Sequence, residues 1–174
     1  MDFVPAATKG DHAFGEEQLA LMNAVDTIVL GRVTYQGYWP KVTEGEEKAF
    51  ADKLNAAPKI VFSKTLDQAP WGSWDAATIV RNDAVQEIPK LKQQSGKDMV
   101  IWGSISLAQS LIDKGLIDEY RLVVCPVVLG SGKPLFRDKG RALDLKLSNA
   151  RPLDRGAVLL KYVPRRAGSG SSRS

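Results

Sequence analysis

The chain predicts an α/β fold of three layers, with a mostly parallel central sheet and an antiparallel C-terminal edge. Three observations carry this. Short apolar, β-branched runs alternate with polar segments of helical spacing through the first two thirds. Several of the runs end on a glycine or serine where the next element begins, at Gly31, Ser63 and Gly103. The last third reads as strands joined by turn residues.

Residues 15–25 predict a helix, because Leu19, Met22 and Val25 are spaced to line one face. Thr27 to Leu30 is a buried strand closed by Gly31. Residues 44–56 are polar with helical spacing. Lys59 to Phe62, between Pro58 and Ser63, is a second buried strand, and Ala77 to Val80 a third. Residues 84–95 predict a helix behind an Asp83 cap and before Gly96, with Pro89 expected to kink it or to mark its true start. Met99 to Trp102 is a fourth strand ended by Gly103. Ser104 is expected to cap a helix with Leu107, Leu111 and Ile112 inward and Gly115 as its stop. Tyr120 to Leu129 reads as one long strand, with Pro126 marking a bulge or an edge. Leu143 to Ser148 and Ala157 to Val163 predict two antiparallel strands joined through Pro152-Leu153-Asp154-Arg155-Gly156.

At 174 residues the chain has the size of one domain, residues 1–166, followed by a Gly/Ser-rich tail over 167–174 that is expected to be flexible. An apolar share of 44% and a charged share of 25% exclude disorder throughout. No apolar run reaches the length of about 20 residues that spans a bilayer, and no signal-peptide order opens the chain, so a cytoplasmic protein is expected. The net charge is +4. Arg165, Arg166 and Arg173 lie in the last ten residues, and without them the body carries a net charge of about +1, which argues against a nucleic-acid partner. Cys125 is the one cysteine, placed in an apolar run as a small buried hydrophobe, and His12 the one histidine, read as a surface loop residue. Neither a disulfide, nor a metal site, nor a Cys–His pair is expected.

The chemistry is expected at three strand ends: Gly31-Arg32-Val33-Thr34-Tyr35, Ser63-Lys64-Thr65-Leu66 and Gly103-Ser104-Ile105-Ser106-Leu107. Ligands of open α/β sheets bind beyond the carboxyl ends of parallel strands, where helix N-termini present free N–H groups. Gly31 and Gly103 allow close approach, Arg32 and Lys64 bring charge, and Thr34, Ser63 and Ser104 bring hydroxyls.

Four runs carry a resemblance: Thr27 to Pro40, Lys59 to Leu66, Asp98 to Phe136 and Val158 to Pro164. The third is the most distinctive, with strand, glycine, helix, Asp118-Glu119-Tyr120 and P-x-x-L-G-x-G-x-x-L-F in order. Over roughly residues 11–164 the chain resembles the dihydrofolate-reductase-like superfamily, in the branch of the C-terminal reductase domain of the bifunctional riboflavin-biosynthesis enzyme. The resemblance implies binding of NADPH, in preference to NADH. It gives Arg32 and Thr34 to the cofactor phosphates and Ser63 and Lys64 to the adenosine 2′-phosphate. Gly31 opens the first junction, and Gly103, Ser104, Ile105 and Leu107 face the pyrophosphate and nicotinamide. Gly130 and Gly132 belong to a flexible loop on the substrate side.

The resemblance also implies a first strand of the type K-x-x-x-S-x-D-G-x-[IV]. Only its end is matched, with Asp2 at the place of the family aspartate and Phe3-Val4 after it. Residues 1–10 are therefore expected to be loop, and the sheet to be split or completed by a swapped strand or by Ala157 to Val163. The acid of the folate-reducing members would fall at Gly15 or beside it, at Glu16 and Glu17, which read better as solvated first-turn residues. Folate reduction is thus not expected. The implied function is hydride transfer from NADPH to a small heterocyclic or sugar-derived substrate in a homodimer. The alternative is a nucleotide-binding relative without turnover.

Overall fold

A computed structural model describes residues 8–38, 48–138 and 142–165. The chain divides into two compact units, Ala13–Leu116 and Met1–His12 with Ile117–Ser174.

The unit Ala13–Leu116 holds α1 (His12–Ala24, whose first residue belongs to the other unit), β1 (Val25–Gly31), α2 (Arg32–Tyr38), α3 (Lys48–Ala56), β2 (Lys59–Phe62), β3 (Thr78–Val80), α4 (Ala84–Leu91), β4 (Asp98–Ile101) and α5 (Ile105–Ile112). Its four strands are all parallel, in the order β3-β2-β1-β4. Ile28 lies beside Lys59 and Val100, and Gly31 beside Phe62. A parallel strand covered on both faces needs apolar residues in succession rather than in alternation. β1 meets this with Ile28, Val29 and Leu30, all at 2% exposure or less. Around them Met22, Val25, Tyr35, Phe50, Leu54, Val61, Trp71 and Ala77 form the core, with Leu19 and Trp102 half-buried against it.

Polar contacts fix the amino ends of these strands. The Asp26 carboxylate accepts the Lys97 N–H (2.6 Å) and the Thr27 hydroxyl (2.9 Å), which ties the start of β1 to the start of β4. The Lys97 amide, and then the Thr27 hydroxyl, hold the Asp26 carboxyl below its ordinary value. Gly96 leaves room beside it, since a Cβ there would lie 2.6 Å from Asp26 Oδ2 and the carboxylate would have to shift. At the foot of β2, Lys59 is only 4% exposed. Its ammonium donates to the carbonyls of Asn55 and Ala57 at the end of α3 and lies 4.7 Å from the Trp71 ring centroid. The Asn55 side chain accepts the Trp71 indole N–H (2.8 Å), and the Tyr35 hydroxyl donates to Pro70 O (2.6 Å), so the β2–β3 connection is pinned to the helices.

The other unit carries a three-stranded antiparallel sheet, β5 (Tyr120–Val124), β6 (Leu145–Pro152) and β7 (Val158–Pro164), in the order β5-β7-β6. The β6–β7 turn is closed by Gly156 N–H to Leu153 O and Leu153 N–H to Ala157 O, with Gly156 at φ +82°. The Asp11 carboxylate accepts the Arg155 N–H (2.9 Å), and the Arg155 guanidinium donates to Lys9 O (2.6 Å), which binds residues 9–11 to this turn. Tyr120, Leu153, Ala157 and Leu159 are buried, and the Tyr120 ring packs on Phe136.

The α/β class and the order of elements agree with the sequence reading, and the antiparallel strands form a sheet of their own. Some boundaries differ for local reasons. β5 stops at Val124 instead of Leu129: Pro126 has no N–H for a ladder, and Val127 N–H turns back to Cys125 O (2.8 Å). Cys125 is therefore half-buried rather than part of a buried strand. α4 starts at Ala84, with Asp83 capping Val85 N–H as expected, and tolerates Pro89 in its last turn, but it ends at Leu91 rather than residue 95. His12 opens α1 instead of lying in a loop, which puts Glu16 and Glu17 beyond the first turn.

Candidate active site

Because β1–β4 are parallel, their carboxyl ends share one side of the sheet. Four strands at spacings of about 4.8 Å give a rim of about 14 Å, the scale of an extended dinucleotide. Along it come Arg81 after β3, Ser63 and Lys64 after β2, Gly31, Arg32 and Thr34 at β1, and Gly103 and Ser104 after β4.

The β1 and β4 ends are joined directly. Gly31 N–H donates to Ser104 Oγ (2.8 Å), the Ser104 hydroxyl donates to Trp102 O (3.0 Å), and Ser104 N–H donates to Thr34 Oγ1 (3.0 Å). Gly103 takes φ +56°, and a Cβ there would meet Thr34 Cγ2 at 3.2 Å, so glycine is needed at this crossing. Leu107, one turn into α5, faces Gly31. Ser104 occupies the N-cap position as expected, but its side chain does not cap: the residue is left-handed and its hydroxyl is turned to Gly31. The first-turn amides of α5, from Ile105 to Leu107, have no intrahelical acceptor, as at every helix start. These donors suit an anion.

The β2 end is shaped by Ser63, which is buried and whose Oγ accepts Thr65 N–H (3.2 Å) and Leu66 N–H (3.1 Å). Lys64 is exposed, and its carbonyl accepts the guanidinium of Arg81 (3.3 Å), which also approaches Asp67 at 3.9 Å. Arg32 is exposed at the start of α2 and donates to Gln36 Oε1 (2.9 Å). Arg81 was missed in the sequence reading. The available signal was the one used for Arg32 and Lys64, a basic residue within two positions of a strand end.

Gly31, Arg32, Thr34, Ser63, Lys64, Gly103, Ser104, Ile105 and Leu107 are thus brought to one edge of one sheet. The residues expected on the substrate side belong to the other unit. Gly130 and Gly132 are exposed and lie in the unit with the antiparallel sheet, Gly130 at φ +71°. Glu16 is exposed and Glu17 half-buried on α1. Asp2 lies outside the described residues.

The row runs from Arg81 at β3 through Lys64 at β2 and Arg32 at β1 to the left-handed Gly103 and the first-turn amides of α5 at β4, an arrangement that suits an anionic ligand. A family model described as the RibD C-terminal domain matches residues 14–159. The chain is 36% identical over 145 residues to the uncharacterized protein YyaP of Bacillus subtilis (strain 168), covering 81% of this chain and 75% of that one. Among solved structures, a Shewanella sp. PV-4 protein provisionally assigned to riboflavin biosynthesis superposes with a TM-score of 0.70 at 25% identity, over 85% of this chain and 78% of the other. Dihydrofolate reductase from Enterococcus faecalis, complexed with NADP(H), shares the fold alone, with a TM-score of 0.56 at 15% identity over 86% and 81% of the two chains. From the strand-end glycines to the closing antiparallel strands, this chain belongs to the RibD C-terminal domain family, within the dihydrofolate-reductase-like fold.

Proposed function

We propose that the chain is a reductase that binds NADPH along the carboxyl ends of β1–β4 and passes hydride to an electrophilic C=N or C=O of a small heterocyclic or sugar-derived substrate. The observation that carries this is the rim itself: Arg32, Lys64 and Arg81 each directly follow or begin within two residues of a parallel strand, and the uncapped first turn of α5 ends the same row. When bound, the nicotinamide supplies the hydride. The chain's residues bind and orient. The guanidinium of Arg32 answers the pyrophosphate charge. Lys64 and Arg81 form a basic pair for the 2′-phosphate, which favours NADPH over NADH. Gly103 lets the cofactor approach the backbone, and the Gly130–Gly132 loop serves the substrate.

No Asp, Glu or His occurs in the three junction segments, which favours a second reading, a nucleotide-binding relative without turnover. We further infer a homodimer working in the cytoplasm. Among the described residues no helix is long and apolar enough to cross a membrane.

Titration of the intact chain with NADPH and NADH, for the wild type and for Arg32→Ala and Arg81→Ala, tests the assignment. Arg32→Ala is expected to weaken both cofactors by about 1–3 kcal/mol, the worth of a charge-assisted hydrogen bond. Arg81→Ala should weaken NADPH alone. Unchanged NADPH affinity in both variants would remove this binding mode, and NADPH bound but never oxidised across a panel of imine and carbonyl heterocycles would leave the second reading.

A further inference from the structure

Ser104 is the one non-glycine residue with left-handed backbone among those described, at φ 50° and ψ 47°. An L side chain is disfavoured there by the crowding of its Cβ, and Gly103 before it is left-handed as well. Glycine would hold this turn without strain, so serine at 104 calls for a reason in its hydroxyl. That hydroxyl is 7% exposed with its residue and fully engaged as a donor. Its one proton goes to Trp102 O (3.0 Å), while its oxygen takes Gly31 N–H (2.8 Å). The Ser104 N–H is given to Thr34 Oγ1 (3.0 Å), and its carbonyl accepts Ala108 N–H (2.9 Å), a bond of the first helical turn.

The Gly31 amide, the Ser104 amide and the Ser104 hydroxyl proton are therefore spent inside the protein. We propose that Ser104 is a positioning residue, whose hydroxyl clamps the end of β1 to the start of α5 and so fixes the direction in which the Ile105–Leu107 amides face the cofactor pyrophosphate. It is not itself a phosphate ligand. The inference rests on the NADPH reading above.

Ser104→Ala removes the hydroxyl and keeps the strain, whereas Ser104→Gly removes both. On the full chain, NADPH affinity by nicotinamide fluorescence, melting temperature and amide hydrogen exchange at Gly31 are compared with the wild type. Both variants are expected to lose roughly fivefold in NADPH affinity and to exchange the Gly31 amide faster. The glycine variant should melt a few degrees, about 3–6 °C, above the alanine variant. Equal losses of affinity at unequal melting temperatures are what positioning through the hydroxyl demands. Wild-type affinity in either variant, or affinity that follows melting temperature, overturns it. If the wild type takes up no NADPH, the cofactor reading fails; the clamp then stands if Gly31 exchange quickens in both variants and falls if it does not.

Discussion

Lys59 shows how a single residue sets a property of the whole chain. Burial pushes its ammonium down to about 8 from 10.5, against the opposing pull of Asp75. Between those two values the unfolded state holds the proton and the folded state does not, so stability rises with pH across that window. The contribution is fully present above 10.5 and lost as pH falls through about 8. By linkage it is on the order of 3 kcal/mol. The neutral amine still has N–H groups for the Asn55 and Ala57 carbonyls, so losing the charge does not orphan them. Tyr35 and Tyr120, raised above 10.0 by burial, act in the opposite sense above that value. Denaturant unfolding at pH 7.5–10 should therefore show stability increasing with pH, and Lys59→Met should flatten the increase. An equal slope in the variant would contradict this. Nothing in the sequence marked Lys59 as special. Its burial depends on Trp71, twelve residues on, folding back over the end of α3, a long-range packing event without a local pattern.

At the level of elements, the strands around the site were legible because buried parallel strands are short, apolar and closed by turn residues. β2 matches its expected bounds at both ends, and β1, β3 and β4 begin or end within two residues of theirs. The site residues followed from the same logic, since a strand end in a parallel sheet is a ligand position before any side chain is considered. Which partner each side chain takes was not legible. Ser104 read as a cap and became a clamp, because the choice depends on Gly31 lying opposite, 73 residues away in sequence. Gly96 is similar: it read as a helix stop and is a contact point between β1 and β4. Gly96→Ala would drive a Cβ into the Asp26 carboxylate and displace the Lys97 N–H bond. We expect a net loss of about 1–2 kcal/mol, after the smaller gain from a stiffer unfolded chain. Asp26→Ala, which removes the carboxylate, should then make Gly96→Ala cost less than it does alone; full additivity in the double-mutant cycle would contradict the contact.

For the whole molecule, large apolar side chains left in water are concentrated on one unit. Val124, Val127, Leu129, Phe136 and Leu147 are exposed, and Val128 is 95% exposed. Exposed apolar side chains of this kind suit a subunit interface. The proposed homodimer predicts a scattering mass of twice the 19.0 kDa chain, falling to one chain on Val128→Glu with Leu129→Glu. A monomer at high concentration in the unsubstituted protein would contradict it. Along the rim of β1–β4, basic residues, a left-handed glycine and a clamped helix start lie in one row. Calorimetric titration of the intact chain with NADPH tests the NADPH reading most directly. Saturable one-site binding, tighter for NADPH than for NADH and weakened by Arg32→Ala, is expected; no heat of binding with millimolar NADPH would contradict a cofactor site on this rim.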